Sequence, residues 1–197
     1  TARQSLFQAG KPFRAVDQVS LTLYPGQSMG LVGESGCGKS SLARMILALD
    51  KPTSGSIHFD GKPLSRDDSD HLQHARKNMQ VVFQDPYGSL SPRMSVAENL
   101  AFRQFDVNGG SRPRFWKNTR EMLKNAEARI AEFNVKTTSP HSPIAALSGG
   151  NVQRAVLARE LTGEVELLIV ANPCFGLDFS AIAAIRERIV EARNRGV

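Results

Sequence analysis

The sequence has few cysteines and no apolar run long enough to cross a bilayer. Its two cysteines, Cys37 and Cys174, fit neither a metal-ligand spacing nor a disulfide framework, which indicates a reducing compartment. A membrane-spanning helix needs roughly 20 consecutive apolar residues, and no segment approaches that length. No signal peptide is recognised in the opening residues TARQSLFQAGK, and the chain is expected to begin partway through a domain. Any membrane role should therefore pass through a partner.

Concentrated positive charge is also missing, although 25 Lys and Arg against 19 Asp and Glu give a net charge of +6. The densest basic group lies between Arg112 and Lys124 and is interrupted by apolar residues at helical spacing. This spacing favours a solvated helix face over a nucleic-acid patch. We therefore expect no nucleic acid among the partners.

What the chain has is enough apolar sequence for a core: 41% of its 197 residues are hydrophobic, which suits one domain or a core with an inserted subdomain. Apolar and polar residues alternate from residue 14, break at Pro25-Gly26 and then run apolar into a Gly-rich turn, which predicts a hairpin that leads into a buried strand over 14–33. Further strands are predicted within 51–64, 78–86 and 165–172, and helices over 40–49, much of 95–159 and 180–195.

Strands that alternate with helices on both sides of an all-helical stretch predict a particular architecture. It is an α/β core with a mostly parallel sheet, an N-terminal antiparallel β part and an inserted helical subdomain. We assign residues 1–94 and 160–197 to the core and residues 95–159 to the helical subdomain.

The segment 33-GESGCGKSS-41 matches the phosphate-loop pattern G-x-x-x-x-G-K-[ST], between a predicted strand and a predicted helix. Glycines let successive backbone N–H groups curl around phosphate oxygens, and the next helix directs its positive end at them. Lys39 is expected to reach the β- and γ-phosphates of ATP, and the Ser40 hydroxyl to ligate Mg²⁺. The alternative is a Gly-rich turn with an exposed lysine. The predicted ATP-binding residues are Gly33, Glu34, Ser35, Gly36, Cys37, Gly38, Lys39, Ser40 and Ser41.

Two further segments resemble motifs of the ABC-type ATPases, which are P-loop NTPases with a RecA-like core. The segment 147-LSGGNVQRAVLAREL-161 resembles their signature motif, and Gln84 in 81-VVFQDP-86 resembles their Q-loop. Together with the phosphate loop and a D-loop at Asp178, these motifs follow the family's order and approximate spacing. The resemblance runs from residue 33 to residue 178 and covers most of the chain.

The resemblance implies a role for each motif. The signature would contact the γ-phosphate of a nucleotide held by the opposite subunit, which makes a head-to-tail dimer part of the mechanism. Gln84 would bind Mg²⁺, sense the attacking water and couple to a transmembrane partner, and it would share the catalytic role with Lys39. Asp178 would communicate across the dimer. The signature residues are Leu147, Ser148, Gly149, Gly150 and Gln153.

Simpler readings of the same residues stay open. Ser148 could cap a helix, Gln84 could end a strand, and Asp178 could stabilise a helix N-terminus. An aromatic residue that stacks on adenine is expected upstream of the phosphate loop, and Phe7 and Phe13 are both candidates because spacing does not choose between them.

The two halves of the chain resemble different branches of the family. Segments 29–61 and 82–94 look like the ATPases of peptide and nickel importers. From Ser95 onward, the segments 95–107 and 132–135 and the LSGGN signature look more like the second cassette of simple-sugar and nucleoside importers. The transported substrate is therefore left open.

The strand 167-LLIVANPCFGLD-178 lacks two acids that the resemblance leads one to expect. Ala171 takes the place of the Walker B Asp, which helps to hold Mg²⁺, and Asn172 takes the place of the Glu that acts on the attacking water. An amide can orient water but cannot accept a proton at neutral pH. We expect ATP to bind this site and to be hydrolysed slowly.

The family's switch histidine should follow the next strand, yet every histidine in the chain precedes Ala171. They are His58, His71, His74 and His141. We expect the C-terminus to be truncated.

The resemblance thus implies an ATP-binding subunit or cassette of an importer-type ABC transporter, which couples ATP binding and hydrolysis to solute transport. It would lie peripherally on the cytoplasmic face of the inner (plasma) membrane. Its partners would be permease subunits, a second nucleotide-binding domain and a solute-binding protein. The alternatives are a non-catalytic regulatory subunit and a soluble, non-transport ABC ATPase; the importer-like 88-GSLSPRM-94 argues against the latter.

Overall fold

The computed structural model describes residues 13–83, 85–106, 119–174 and 177–197. The strands are β1 (His58–Phe59), β2 (Lys62–Pro63), β3 (Met79–Val82) and β4 (Leu167–Val170). The helices are α1 (Lys39–Ile46), α2 (Ser69–Asn78), α3 (Pro86–Ser89), α4 (Val96–Asp106), α5 (Thr119–Glu132), α6 (Gly149–Glu160) and α7 (Phe179–Asn194), with a 3₁₀ turn at Ile144–Ala146. Strands β3 and β4 pair in parallel and β1 and β2 pair antiparallel. The predicted α/β class is confirmed.

The parallel pair β3–β4 sets the edge at which the site is built. Its register places Met79 beside Leu167 and Val82 beside Val170. One further hydrogen bond, 2.8 Å from the Ala171 N–H to the Val82 carbonyl, continues the pairing past the last strand residue. Because the strands are parallel, the segments that follow them leave from the same edge. The strands predicted within 78–86 and 165–172 are both present.

The largest apolar core lies where α4, α5 and α6 pack against β3 and α7. Leu100, Val156, Leu157 and Ile185 are at most 1% exposed, and full burial of such a side chain contributes about 1.5–3 kcal/mol. Ala126 of α5 is also buried, and Met122, Leu123 and Ile130 pack partly buried against the same cluster. The helical structure predicted for much of 95–159 is confirmed in α4, α5 and α6, while residues 107–118 lie outside the described residues.

The predicted hairpin and buried strand over residues 14–33 are wrong in the described part of that segment. The turn at Pro25-Gly26 forms, with the Gln27 N–H 3.0 Å from the Tyr24 carbonyl, but residues 13–33 contain no strand. Leu31 and Val32 are 51% and 93% exposed. A strand exists only where its backbone groups pair with a neighbour, and no described strand pairs with this segment. The alternation of apolar and polar side chains was therefore not sufficient to predict a strand in this segment.

Two local elements had weaker signals in the sequence. The Asp60-Gly61 turn, with φ of 49° and 72°, joins β1 to β2, because two left-handed residues match the twist of a hairpin. Helix α2 was not predicted; the Asp68 carboxylate caps it by accepting the His71 N–H at 3.0 Å.

None of the helices in the described ranges is long and apolar enough to cross a membrane.

Candidate nucleotide-binding site

The phosphate loop is an exposed turn that leads directly into α1. Gly38 is the N-cap of α1 with φ of 97°, and no side chain caps the helix there. A Cβ at Gly38 would lie 2.1 Å from the Ala15 carbonyl oxygen, so both the conformation and the space require glycine. The first N–H groups of a helix have no partner within it. At α1 they follow a glycine turn, an arrangement that favours an anion at the start of the helix.

The ammonium group of Lys39 lies back over this loop. Its Nζ donates to the carbonyl oxygens of Gly33 and Glu34, each at 2.6 Å, and lies 3.5 Å from the Cys37 Sγ. Ser40 is exposed in the first turn of α1. The loop residues predicted from Gly33 to Ser41 are therefore together, with a cation above them and a hydroxyl in reach of solvent. This set suits a polyphosphate with its Mg²⁺, because that metal keeps several waters and needs few protein oxygens.

Ala171 and Asn172 follow β4 at the carboxyl edge of the parallel pair, and both are exposed. Asn172 has φ of 50°, a left-handed conformation that Asn tolerates better than most residues. Neither side chain carries a negative charge, so the end of β4 offers no carboxylate to a metal or a water. The Val82–Val170 pairing brings this point beside the strand that leads to Gln84, but Gln84 itself lies outside the described residues.

The signature segment opens α6, and Ser148 is its N-cap. The Ser148 hydroxyl does not cap the helix; its Oγ instead accepts the Asn151 side-chain amide at 2.9 Å. Gly150 packs closely against α7, since a Cβ there would lie 3.4 Å from the Cβ of Ala181. Leu147 is buried. The exposed serine and the start of α6 are thus fixed in place by packing behind them.

Gln153 lies on the inner side of α6 and is only 2% exposed. Among the described residues its Nε2 has no hydrogen-bond partner. The structure therefore does not bring its side chain to the surface beside Ser148, and its role in the signature stays a prediction.

Sequence analysis missed Asn151. Its Nδ2 donates to Ser148 Oγ, and its Oδ1 accepts the Lys136 backbone N–H at 2.8 Å. A signal was present, because a polar residue three positions after an N-cap serine is the spacing of a capping box. The partner at Lys136 comes from a distant loop and has no signature in the sequence.

The short helix α3 joins the segment after Gln84 to α6. The Tyr87 hydroxyl donates to the Leu147 carbonyl at 3.3 Å. At the other end of α6, Arg159 donates to the Ser89 carbonyl at 2.7 Å and pairs with Glu160, also at 2.7 Å. The Arg159 and Glu160 side chains are 13% and 8% exposed. These contacts connect α3 to both ends of α6.

Asp178 caps α7: its carboxylate accepts the Ala181 N–H at 2.8 Å. The simpler, helix-stabilising reading of Asp178 therefore applies, and its D-loop role stays a prediction. Phe13 is 83% exposed, while Phe7 lies outside the described residues. Both therefore stay candidates for the aromatic residue that stacks on adenine.

A glycine loop closed by a lysine, at the start of a helix on an α/β core, defines the P-loop NTPase class. A family model described as "ABC transporter" matches residues 16–174. The chain belongs to the ABC transporter family.

Among the chain's relatives is the oligopeptide transport ATP-binding protein OppF of Salmonella typhimurium, 36% identical over 93% of this chain and 53% of that protein. Another is the di/tripeptide transport ATP-binding protein DppF of Pseudomonas aeruginosa, 33% identical over 98% of this chain and 57% of that protein. The chain thus spans about half the length of the curated relatives it matches. The predicted resemblance to peptide-importer ATPases is confirmed; the second half's resemblance to sugar-importer cassettes stays a prediction.

The fold has solved counterparts. The ATP-binding cassette MJ0796, in a dimeric post-hydrolysis state with ADP and phosphate, superposes with a TM-score of 0.78 at 25% identity, over 96% of this chain and 79% of that one. CbiO1 of Clostridium perfringens, part of an ABC transporter complex, gives 0.72 at 27% identity, over 92% of this chain and 68% of that one. These likenesses confirm the predicted P-loop core.

Proposed function

We propose that this chain is the ATP-binding cassette of an importer-type ABC transporter, and that its own site binds ATP better than it hydrolyses it. The observation that carries the proposal is the combination of a complete phosphate loop and signature with Ala171 and Asn172 at the end of β4. The relatives' names, oligopeptide and di/tripeptide transport proteins, support peptides as the transported class.

ATP would bind through the glycine loop and the start of α1. Lys39 now shares its ammonium protons with two loop carbonyls, and phosphate oxygens would compete for them with the advantage of full charge. Ser40 and the phosphates would hold Mg²⁺, with water in the remaining positions. Binding requires neither of the missing acids.

Hydrolysis is a different matter, because a water must be deprotonated as it attacks. Asn172 can hold that water but cannot take its proton. Positioned general acid-base catalysis is worth about 10²- to 10⁴-fold in rate, or roughly 3 to 5 kcal/mol of barrier. The methyl group of Ala171 also leaves the Mg²⁺ shell without a protein carboxylate. Slow turnover at this site follows from both losses.

The exposed Ser148 at the start of α6 suggests a second role for the chain, at the nucleotide site of a partner cassette. In a head-to-tail pair with a cassette that keeps both acids, this serine would contact the ATP held by the partner. One composite site would then hydrolyse ATP while the site lined by β4 mainly binds it. The pair would dock on permease subunits at the cytoplasmic face of the inner membrane, with a solute-binding protein delivering the substrate. Residues 1–94 and 160–197 would form its ATP-binding core, and 95–159 its helical subdomain.

The test measures ATP hydrolysis by this chain alone and mixed with an acid-containing partner cassette. Alone, the chain should bind ATP and turn it over slowly. In the mixture, activity should appear, and it should fall sharply to a low but measurable level when Ser148 is changed to Ala. The double variant Ala171→Asp, Asn172→Glu should raise turnover of the chain alone by about 10²- to 10⁴-fold. A wild-type chain that matches this double variant would contradict the proposal.

A second candidate is a non-catalytic regulatory subunit, which the replacement of both acids also favours. In that case no mixture would hydrolyse ATP, and the nucleotide would act only by closing the dimer. The control is Lys39→Ala, which should abolish ATP binding. It shows how a chain that never binds nucleotide behaves, and a closed but inactive dimer of the wild-type chain can be compared with it.

A further inference from the structure

The signature serine is held by a two-sided contact. Asn151 lies one helical turn after Ser148, and its side-chain amide donates to the Ser148 Oγ at 2.9 Å. The other end of the same amide accepts the backbone N–H of Lys136 at 2.8 Å. The loop that carries Lys136 is itself tied to α6, since Arg154 donates to the Asn134 carbonyl at 2.9 Å. Asn151 is therefore anchored at a fixed point.

The Lys136 contact determines which way the amide points. A backbone N–H can only donate, so the Asn151 atom that faces it must be the oxygen. The nitrogen must then face Ser148, and the serine oxygen must act as acceptor in that contact. Because a hydroxyl has one proton to donate, this contact leaves the Ser148 proton free for another acceptor. Ser148 is exposed and its hydroxyl does not cap α6.

We propose that Asn151 is a positioning residue that keeps the Ser148 hydroxyl turned outward as a hydrogen-bond donor to the γ-phosphate of the opposite subunit's ATP. This inference rests on the proposed function. Ionised phosphate oxygens are acceptors only, so a serine whose proton points inward offers them no hydrogen bond. In this role Asn151 acts through the Ser148 hydroxyl.

The assay is ATP hydrolysis by the mixture of this chain with an acid-containing partner cassette, in which the Ser148 contact lies at the partner's site. Asn151→Ala releases the hydroxyl and should lower kcat/KM about 3- to 10-fold, the loss expected for one hydrogen bond. Asn151→Asp should lower it further, because the carboxylate still accepts from Lys136 but now also draws the serine proton inward. Asn194→Asp, the same chemical change at the exposed end of α7, is the matched control and should have no effect.

A double-mutant cycle with Ser148→Ala distinguishes positioning from a merely structural role. If Asn151 acts through Ser148, Asn151→Ala should cause no further loss once the hydroxyl is gone. Losses that multiply, or Asn151→Asp behaving like Asn151→Ala, would overturn the inference. ATP binding by the chain alone should be unchanged in every variant, which also shows that the variants fold.

Failure of the proposed function gives a different result. If Ser148→Ala leaves the mixture fully active, or no mixture is active, the role of the signature fails and this inference fails with it. If Ser148→Ala sharply lowers activity while Asn151→Ala does not change it, only the positioning role of Asn151 is overturned.

Discussion

The phosphate-loop region, residues 13–46, and the signature region, residues 86–106 and 119–160, are held in very different ways. In the signature region, buried residues of α4, α5 and α6 form one core. In the phosphate-loop region, no described residue is buried; the loop is held by the hydrogen bonds of Lys39 to Gly33 and Glu34 and by the close approach of the Ala15 carbonyl to Gly38. The signature's geometry therefore depends on packing, while the phosphate loop's depends on glycine conformation and on Lys39. Substitutions should reveal this contrast.

The largest effect is expected in the core of the signature region. Leu157 is 1% exposed and packs within the main cluster, so Leu157→Ala should lower the free energy of unfolding by about 2–5 kcal/mol. Val32 is 93% exposed, and Val32→Ala should change it by less than about 0.5 kcal/mol. Chemical denaturation of both variants is the measurement. Equal losses would show that residues 13–33 pack as tightly as α6.

A smaller effect is expected where α3 joins α6. Arg159→Ala removes the contacts with the Ser89 carbonyl and with Glu160, and it leaves a largely buried carboxylate without this cation. Breaking a fully buried pair costs about 3–5 kcal/mol, and the partial exposure of this one reduces our expectation to about 2 kcal/mol.

Arg193→Ala is the matched control, because Arg193 is exposed and contacts only its neighbour Asn194 among the hydrogen bonds described for its side chain. Thermal unfolding compares the two variants. If they unfold at the same temperature, the Arg159 contacts do not stabilise the junction of α3 with α6.

The same contrast explains which features could be predicted from sequence. The phosphate loop and the signature are contiguous motifs, and β3, β4, α1 and α7 follow local apolar patterns. The hairpin and strand predicted over 14–33 are absent from that described segment because a strand needs backbone pairing with a neighbouring strand, which the local sequence does not reveal. Helix α2 was missed because its sequence, SDHLQHARKN, has few apolar residues, and its evidence lies in the Asp68 cap. Asn151 was missed because its second partner, Lys136, is brought to it only by the fold.

A capping box at the start of α4 should give a loss of about 1 kcal/mol. The Glu98 N–H donates to the Ser95 Oγ at 3.2 Å, and the Glu98 carboxylate accepts the Ser95 N–H at 2.7 Å. Ser95→Ala removes the cap and should lower the free energy of unfolding by about 0.5–2 kcal/mol. Denaturation at neutral pH measures it.

The same contact predicts a pH dependence. Hydrogen bonds from the Ser95 backbone and hydroxyl hold the pKa of Glu98 below its ordinary value of 4.5. Because the folded-state pKa is depressed, the stabilisation is fully present above the ordinary value and is lost as pH falls through the folded pKa. The difference in stability between wild type and Glu98→Gln should therefore be constant near neutrality and shrink at acidic pH. A difference that grows on acidification would contradict this.

The smallest effect is expected at Tyr87, where the structural and functional consequences can be separated. Tyr87 is half-exposed, and its 3.3 Å hydrogen bond to the Leu147 carbonyl is long, so Tyr87→Phe should cost only about 0.5 kcal/mol of unfolding free energy. Tyr24→Phe is the control, because the Tyr24 ring is 67% exposed and lies in the phosphate-loop region.

The Tyr87 hydrogen bond also has a functional consequence, because its acceptor is Leu147, the residue directly before Ser148. If α3 positions the signature, Tyr87→Phe should lower the partner-dependent ATPase more than its small stability loss explains, while Tyr24→Phe leaves it unchanged. Equal activity in both variants would mean that Ser148 is fixed without the Tyr87 contact, and that the signature does not need this link to the segment that follows Gln84.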